Sequence, residues 1–197
     1  MIKYGILILA AGASARLGRP KQLLEIGDDT LISHVVAQCL NISSCITQLV
    51  TGQADKEIRM AVQDTGVKII YNEKWAEGMG TSISTGIRAL LVLEPDIEAC
   101  IIAVSDQPYI CSQLLSQMIS TFESTQTGII ASHYADTLGT PVLLDKRYFE
   151  ELLALRGESG AKRIIQKYQT NVTALDFPKG DVDIDTEEDY LTFISGR

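Results

Sequence analysis

Several stretches of the chain collect residues that handle phosphate. In the first, Leu9-Ala10-Ala11-Gly12-Ala13-Ser14-Ala15-Arg16-Leu17-Gly18-Arg19-Pro20-Lys21-Gln22, small residues precede the cations Arg16, Arg19 and Lys21. Small side chains let backbone N–H groups approach a phosphate chain, and the cations answer its charge. The loop is not a P-loop, because Arg19 follows Gly18 where that motif needs Lys. It is not a dinucleotide fingerprint either, because Ala13-Ser14 stand where the second glycine belongs. The second stretch, Ser105-Asp106-Gln107-Pro108, follows the apolar run Ala99 to Val104. A carboxylate at that point could hold Mg²⁺, a hard cation that prefers oxygen donors and travels with phosphates. The third is Gly180-Asp181-Val182-Asp183-Ile184-Asp185-Thr186. Alternation puts its three carboxylates on one side of an extended segment, where mutual repulsion invites a cation. Each stretch also has a plain structural reading: solvated basic residues in a connection, an aspartate in a turn, and acidic residues ahead of a helix N-terminus.

A fourth stretch, Asn72-Glu73-Lys74-Trp75-Ala76-Glu77-Gly78-Met79-Gly80-Thr81-Ser82, exposes backbone amides at its glycines and leads into a helical pattern. The elements that must position these residues alternate. Lys3 to Leu9, Ile46 to Thr51, Val67 to Tyr71 and Ala99 to Val104 read as strands, and Gly128 to Ser132, Thr140 to Leu144 and Val172 to Leu175 follow later. Helical spacing of apolar residues begins at Thr30, Ala54, Thr81 and Leu114, and again near Tyr148, Ala161 and Thr186. Thr186 with Asp189 has the form of a capping box. Near-continuous apolar strands alternating with amphipathic helices predict an α/β fold: three layers, a mostly parallel sheet with helices on both faces. No linker or repeat interrupts the pattern, so residues 1–197 read as one domain. In such sheets ligands bind beyond the carboxyl ends of the strands, where the first two phosphate-handling stretches fall.

Composition narrows the options. The chain has 197 residues, 46% of them hydrophobic, and a formal net charge of −8. No apolar run approaches the roughly 18 residues of a membrane helix, so no membrane partner is expected. Clustered positive charge of the kind that binds nucleic acid is missing. Cys39, Cys45, Cys100 and Cys111 form no C-x-x-C pair or zinc spacing and read as reduced, buried hydrophobes, which points to the cytoplasm. Lys3, the run Gly5 to Ala11 and Ala13-Ser14-Ala15 imitate a secretory signal. A buried first strand feeding a glycine loop also accounts for Arg16, Gly18 and Lys21.

Taken together and in order, these segments resemble the MobA-like nucleotidyltransferases of molybdenum cofactor biosynthesis, and within them the cytidylyltransferase branch. The resemblance rests on Ala10 to Gln22, Asn72 to Ser82, Asp106 to Pro108, Gly139-Thr140-Pro141 and Asp183 to Thr186. It implies transfer of a nucleoside monophosphate, CMP favoured, from an NTP to the phosphate of molybdopterin or its molybdenum form, with release of pyrophosphate. By the same resemblance Lys21 and Arg16 hold the triphosphate, and Asp106 and Asp185 hold Mg²⁺. Ala10, Ala11, Gly12 and Ser14 form the nucleotide loop, and Ser82 meets base or ribose. The partners implied are CTP, a molybdopterin-type acceptor, and a molybdoenzyme or its chaperone as recipient. The chain departs from the family at Ser105, usually Gly, a change that crowds the nucleotide sugar, and at Glu158 and Lys162, usually Asp and Arg, changes that bear on the acceptor more than on the nucleotide. Alternatives are a cytidylyltransferase acting on methylerythritol phosphate, a guanylyl-type transferase, a dinucleotide-dependent oxidoreductase and a non-catalytic nucleotide-binding module. The loop spacing disfavours the oxidoreductase. Lys21, Asp106 and Asp185 together disfavour the non-catalytic module.

Overall fold

The computed structural model describes residues 3–125 and 127–196. The chain runs β1 (Lys3–Ala10), a small hairpin β2 (Glu25–Ile26) and β3 (Asp29–Thr30), α1 (Leu31–Leu40), β4 (Cys45–Thr51), α2 (Asp55–Ala61) and β5 (Lys68–Tyr71). It continues through α3 (Met79–Leu93), β6 (Ile97–Val104), α4 (Ser112–Thr125), β7 (Ile129–Tyr134) and β8 (Thr137–Asp145). The last elements are α5 (Phe149–Ala154), α6 (Lys162–Lys167), β9 (Val172–Asp176) and α7 (Glu187–Ser195). No helix among the described residues is long and apolar enough to cross a membrane.

Seven strands form one sheet in the order β5-β4-β1-β6-β8-β7-β9. β1 lies in its interior, between β4 and β6, because its side chains are apolar on both faces, a pattern only a doubly covered strand can use. Ile6 and Ile8 join a core cluster with α1, Ile58 of α2, and α4. Leu7 and Leu9 join a second cluster with α3, α5 and α6. All of these aliphatic residues are nearly or fully buried, and each such burial contributes about 1.5–3 kcal/mol before chain entropy is counted. α1 starts where Thr30 accepts a hydrogen bond from the Ser33 N–H at 3.2 Å, and it turns Leu31, Ile32, Val35, Val36 and Cys39 inward.

The sheet is parallel except at β8, which runs antiparallel to both β6 and β7. The reversal is made by the two-residue turn Ala135-Asp136, with φ of 45° and 56°. Paired left-handed residues give the turn whose twist matches a hairpin. All four cysteine thiols are free.

Candidate active site

The chain builds β4 and β5 on one side of β1 and then crosses to place β6 on the other. That change of direction opens a crevice beyond the carboxyl ends of β1 and β6. The loop after β1 is sewn together by its own polar atoms. Ser14 is left-handed, with φ 51°, and its carbonyl accepts the N–H groups of Leu17 and Gly18 at 3.1 Å each. Its hydroxyl accepts the Lys21 N–H at 3.0 Å. Gln22, only 1% exposed, donates its side-chain amide to the carbonyls of Ala10 and Gly12 at 3.4 Å each. The backbone is thereby held while the Lys21 side chain reaches across the crevice.

The Lys21 ammonium ends between two carboxylates, 2.6 Å from Asp106 Oδ2 and 2.6 Å from Asp185 Oδ1. Arg16, largely exposed, approaches the other Asp185 oxygen at 2.5 Å. Two hydrogen bonds staple the acidic segment beside Asp106: Ile184 N–H to the Asp106 carbonyl at 3.1 Å, and the Gln107 side-chain amide to the Gly180 carbonyl at 2.6 Å. Ile184 is fully buried and anchors the segment between Asp183 and Asp185. Behind them the capping box forms as expected, Thr186 Oγ1 accepting from Asp189 N–H at 3.2 Å and Asp189 Oδ2 accepting from Thr186 N–H at 2.8 Å. Asp185 therefore sits one residue before a capped helix N-terminus, where negative charge is favoured.

Electrostatics follow from this crowding. Burial works against the charged form of Lys21, but Asp106 and Asp185 outweigh it and raise its pKa above the usual ammonium value. Burial pushes Asp185 upward and is outweighed by Lys21 and Arg16, so its carboxyl lies below the usual range. Asp183, open to solvent on one side, is raised to about 7, first by desolvation among its neighbours and then by repulsion from Asp106 and Asp185. The donor set fits a divalent metal: hard carboxylate oxygens gathered at one point, one of them short of a counter-charge. Among the described residues no group of three acidic, His or Cys side chains makes a metal cage. A divalent metal held by one or two carboxylates together with substrate phosphates needs no such cage.

A cavity of about 310 Å³ opens beside Lys21 and Asp106. Ala11 and Gly12 form one wall, and Trp75, Gly78 and Ser82 the other, with Glu158 at the edge. The walls touch where glycine permits it. A Cβ on Gly52 would stand 2.5 Å from the Ala11 carbonyl and 2.7 Å from Trp75 Cβ. Gly78 has φ 107° and abuts the Gly157 carbonyl, where a Cβ would lie 2.5 Å away, so only glycine serves there. At the end of β5, Asn72 is 2% exposed and donates to Thr81 Oγ1 at 2.9 Å and to Ser82 Oγ at 3.0 Å. This ties the far wall to the sheet.

Lys21, Arg16, Asp106 and Asp185 thus meet at one point, and Ala11, Gly12 and Ser82 line the adjoining cavity. Ala10 is buried behind the wall. Ser14 lines a second hollow of about 320 Å³ on the other side of the loop, its hydroxyl spent on the loop itself. Arg19 turns away: it forks onto Glu187 at 2.9 Å and lies over the Tyr190 ring. Gln22 and Asp183 lie within the stretches drawn out by sequence, which gave neither an individual role. The first shows its value only once its amide is seen to span the loop, and the second only beside Asp106.

A crevice at the sheet's switch point, lined by small residues and edged by a lysine shared between two aspartates, suits a nucleotide and its phosphates, and the family match identifies the chain as a nucleotidyltransferase. The chain belongs to the MobA-like NTP transferase domain family, whose profile matches residues 6–172. It is 24% identical over 188 residues to the molybdenum cofactor cytidylyltransferase of Escherichia coli, covering 94% of this chain and 93% of that protein. It is 22% identical over 171 residues to the bifunctional protein GlmU of Francisella tularensis, covering 85% of this chain but only 36% of that longer protein. Among solved structures, Rv0371c from Mycobacterium tuberculosis superposes with a TM-score of 0.84 at 27% identity, over 98% of each chain. A complex of Rv0371c with manganese superposes with a TM-score of 0.80 at 25% identity, over 99% of this chain and 100% of that one.

Proposed function

We propose that the protein transfers CMP from CTP to the phosphate of a molybdopterin-type acceptor in the cytoplasm, and that the product passes to a molybdoenzyme or its chaperone. The observation that carries this reading is the Lys21 ammonium held between Asp106 and Asp185 at the cavity edge. An oxygen of the acceptor phosphate attacks the α-phosphorus. The bond from that phosphorus to the oxygen bridging to the β-phosphate breaks, and pyrophosphate leaves with the electron pair. No protein nucleophile is needed, so catalysis is positioning plus neutralisation of charge on phosphate oxygens. Lys21 meets the charge that develops on the leaving pyrophosphate, whereas Arg16, on the open rim, holds the phosphates in the ground state. Asp106 and Asp185 would hold Mg²⁺, which would supply further charge neutralisation. The loop from Ala10 through Gly12 to Ser14 lies along the nucleotide, and Ser82 meets the base.

The test is a panel of NTPs against phosphorylated acceptors with Mg²⁺, read by pyrophosphate release. The highest kcat/KM is expected for CTP with molybdopterin or its molybdenum form. A preference for GTP overturns the choice of base, and turnover confined to methylerythritol phosphate overturns the choice of acceptor.

A further inference from the structure

Both carboxylate oxygens of Asp185 are taken by cations. Its Oδ1 accepts from the Lys21 ammonium at 2.6 Å and its Oδ2 from the Arg16 guanidinium at 2.5 Å. The same ammonium takes Asp106 Oδ2 at 2.6 Å. These are the carboxylates that would hold the metal, and a divalent cation approaches them only against an ammonium and a guanidinium already in place. The frame around them is fixed at the backbone. Lys21 N–H is held by Ser14 Oγ at 3.0 Å, Asp185 N–H by Asp189 Oδ2 at 3.1 Å, and the Asp106 carbonyl by Ile184 N–H at 3.1 Å. Side chains are what is left to rearrange. Arg16 is 71% exposed and gives up its partner at little cost, whereas Lys21 is 13% exposed and is the harder of the two to displace. Its four-carbon stem can turn the ammonium toward another anion without moving the loop. Lys21 and Asp106 both line the cavity in which such an anion would lie.

We infer that Lys21 gates the metal site: it blocks Asp106 and Asp185 until the phosphates of a nucleotide draw its ammonium away, so that metal alone binds the free protein poorly and metal and nucleotide bind cooperatively. The exchange keeps every charge paired, because the ammonium passes from carboxylate to phosphate as the metal takes the carboxylates. By linkage, the nucleotide tightens the metal by the same factor by which the metal tightens the nucleotide. This deepens the metal part of the proposed function and rests on it.

The experiment measures Mn²⁺ binding to the full chain, without nucleotide or acceptor, from the loss of the free-ion signal in electron paramagnetic resonance. Lys21→Met opens the gate, so it is expected to bind Mn²⁺ about ten-fold more tightly than wild type, the effect of releasing two carboxylates from a part-buried ion pair. Arg19→Met removes an equal charge from the same loop, but one paired with Glu187. Its Mn²⁺ affinity should stay within about two-fold of wild type, because exposed charges are screened. Adding Asp106→Asn to Lys21→Met should erase the gain. The inference is overturned if Lys21→Met binds no more tightly than Arg19→Met, or if the gain survives Asp106→Asn. If Asp106→Asn alone still weakens Mn²⁺ binding in that event, the aspartates hold metal and only the gate falls. If Mn²⁺ affinity is indifferent to Asp106→Asn in both backgrounds, the metal site of the proposed function falls with it. Should Lys21→Met not fold, reductive methylation of wild type reads the same competition. An ammonium held by two carboxylates is slow to lose the proton that methylation requires. Lys21 should be protected in EDTA and become reactive at saturating Mn²⁺, while the exposed Lys74 reacts alike in both. Equal protection of Lys21 in the two conditions overturns the inference.

Discussion

Lys21→Met removes the ammonium and keeps most of the side chain's length and apolar stem. In the free protein it leaves Asp106 and Asp185 without the cation that sits 2.6 Å from each. The Lys21 side chain is 13% exposed and the two aspartates 23% and 31%, so the pair lies between the surface and interior cases. Breaking a fully buried pair costs about 3–5 kcal/mol and losing an exposed one about 0.2–1 kcal/mol, which places this loss near ~2 kcal/mol. For a chain of this size that is a fall in Tm of about 4–8 °C. Calorimetry in EDTA at low salt measures it. Because the cost comes from uncompensated carboxylates, Lys21→Met combined with Asp106→Asn should be more stable than Lys21→Met alone. Added Mg²⁺ should raise the Tm of Lys21→Met more than that of wild type. The same variant should lose about 10²–10³ in kcat, the scale of one donor aimed at developing charge. A Tm within about 1 °C of wild type in EDTA, or no rescue by Asp106→Asn, refutes the account of Lys21 as the site's internal counter-ion.

Asp106→Ala should lower kcat/KM for pyrophosphate release by about 10³-fold at saturating Mg²⁺, and wild-type turnover would remove Asp106 from the metal site. Ala11→Gly should lower the CTP:GTP ratio of kcat/KM while retaining activity; one methyl against the base is worth about 1–3 kcal/mol, too little for a full reversal. Asp183 carries a folded pKa raised to about 7 against an ordinary 3.8, so its ionisation opposes folding increasingly from pH 4 upward and fully above pH 7. Asp183→Asn should accordingly raise Tm at pH 8, less at pH 6 and not at all at pH 3.5, and a gain independent of pH would contradict the repulsion from Asp106 and Asp185.

Much of this was legible from pattern alone. β1 and β6 read as buried strands because, past Lys3 and Glu98, their residues form an unbroken apolar run, and such strands have one place to go in an α/β fold. The residues just past their ends, Gly12 and Asp106, were therefore placed correctly at the crevice, and the capping box announced α7 from Thr186 and Asp189. What stayed hidden depends on long-range partners. Ala135-Asp136 carries none of the Asn-Gly or Asp-Gly chemistry that announces a hairpin, so the reversal at β8 had no local signal. Arg19 belongs by sequence with Arg16 and Lys21, yet the proximity of Glu187 and Tyr190 draws it off the site. Ser14 reads as part of the nucleotide loop, and only the folded loop shows that its hydroxyl accepts the Lys21 N–H. That Lys21 would bridge both aspartates follows only from the fold that brings them together.

The bonds from Lys21 and Arg16 to Asp185 span 164 and 169 residues of chain. Closing so large a loop costs entropy before any contact repays it, and pairings of this separation are slow to form. The three strands β5, β4 and β1 that make one side of the sheet are all in hand by Tyr71, and Asp106 follows β6. Asp185 lies in the last part of the chain, beyond β9, which pairs with β7, and ahead of α7, whose Phe193 is buried. We expect refolding to run in two phases, the first followed by circular dichroism of the sheet and the second by nucleotide binding once Asp185 has closed on Lys21.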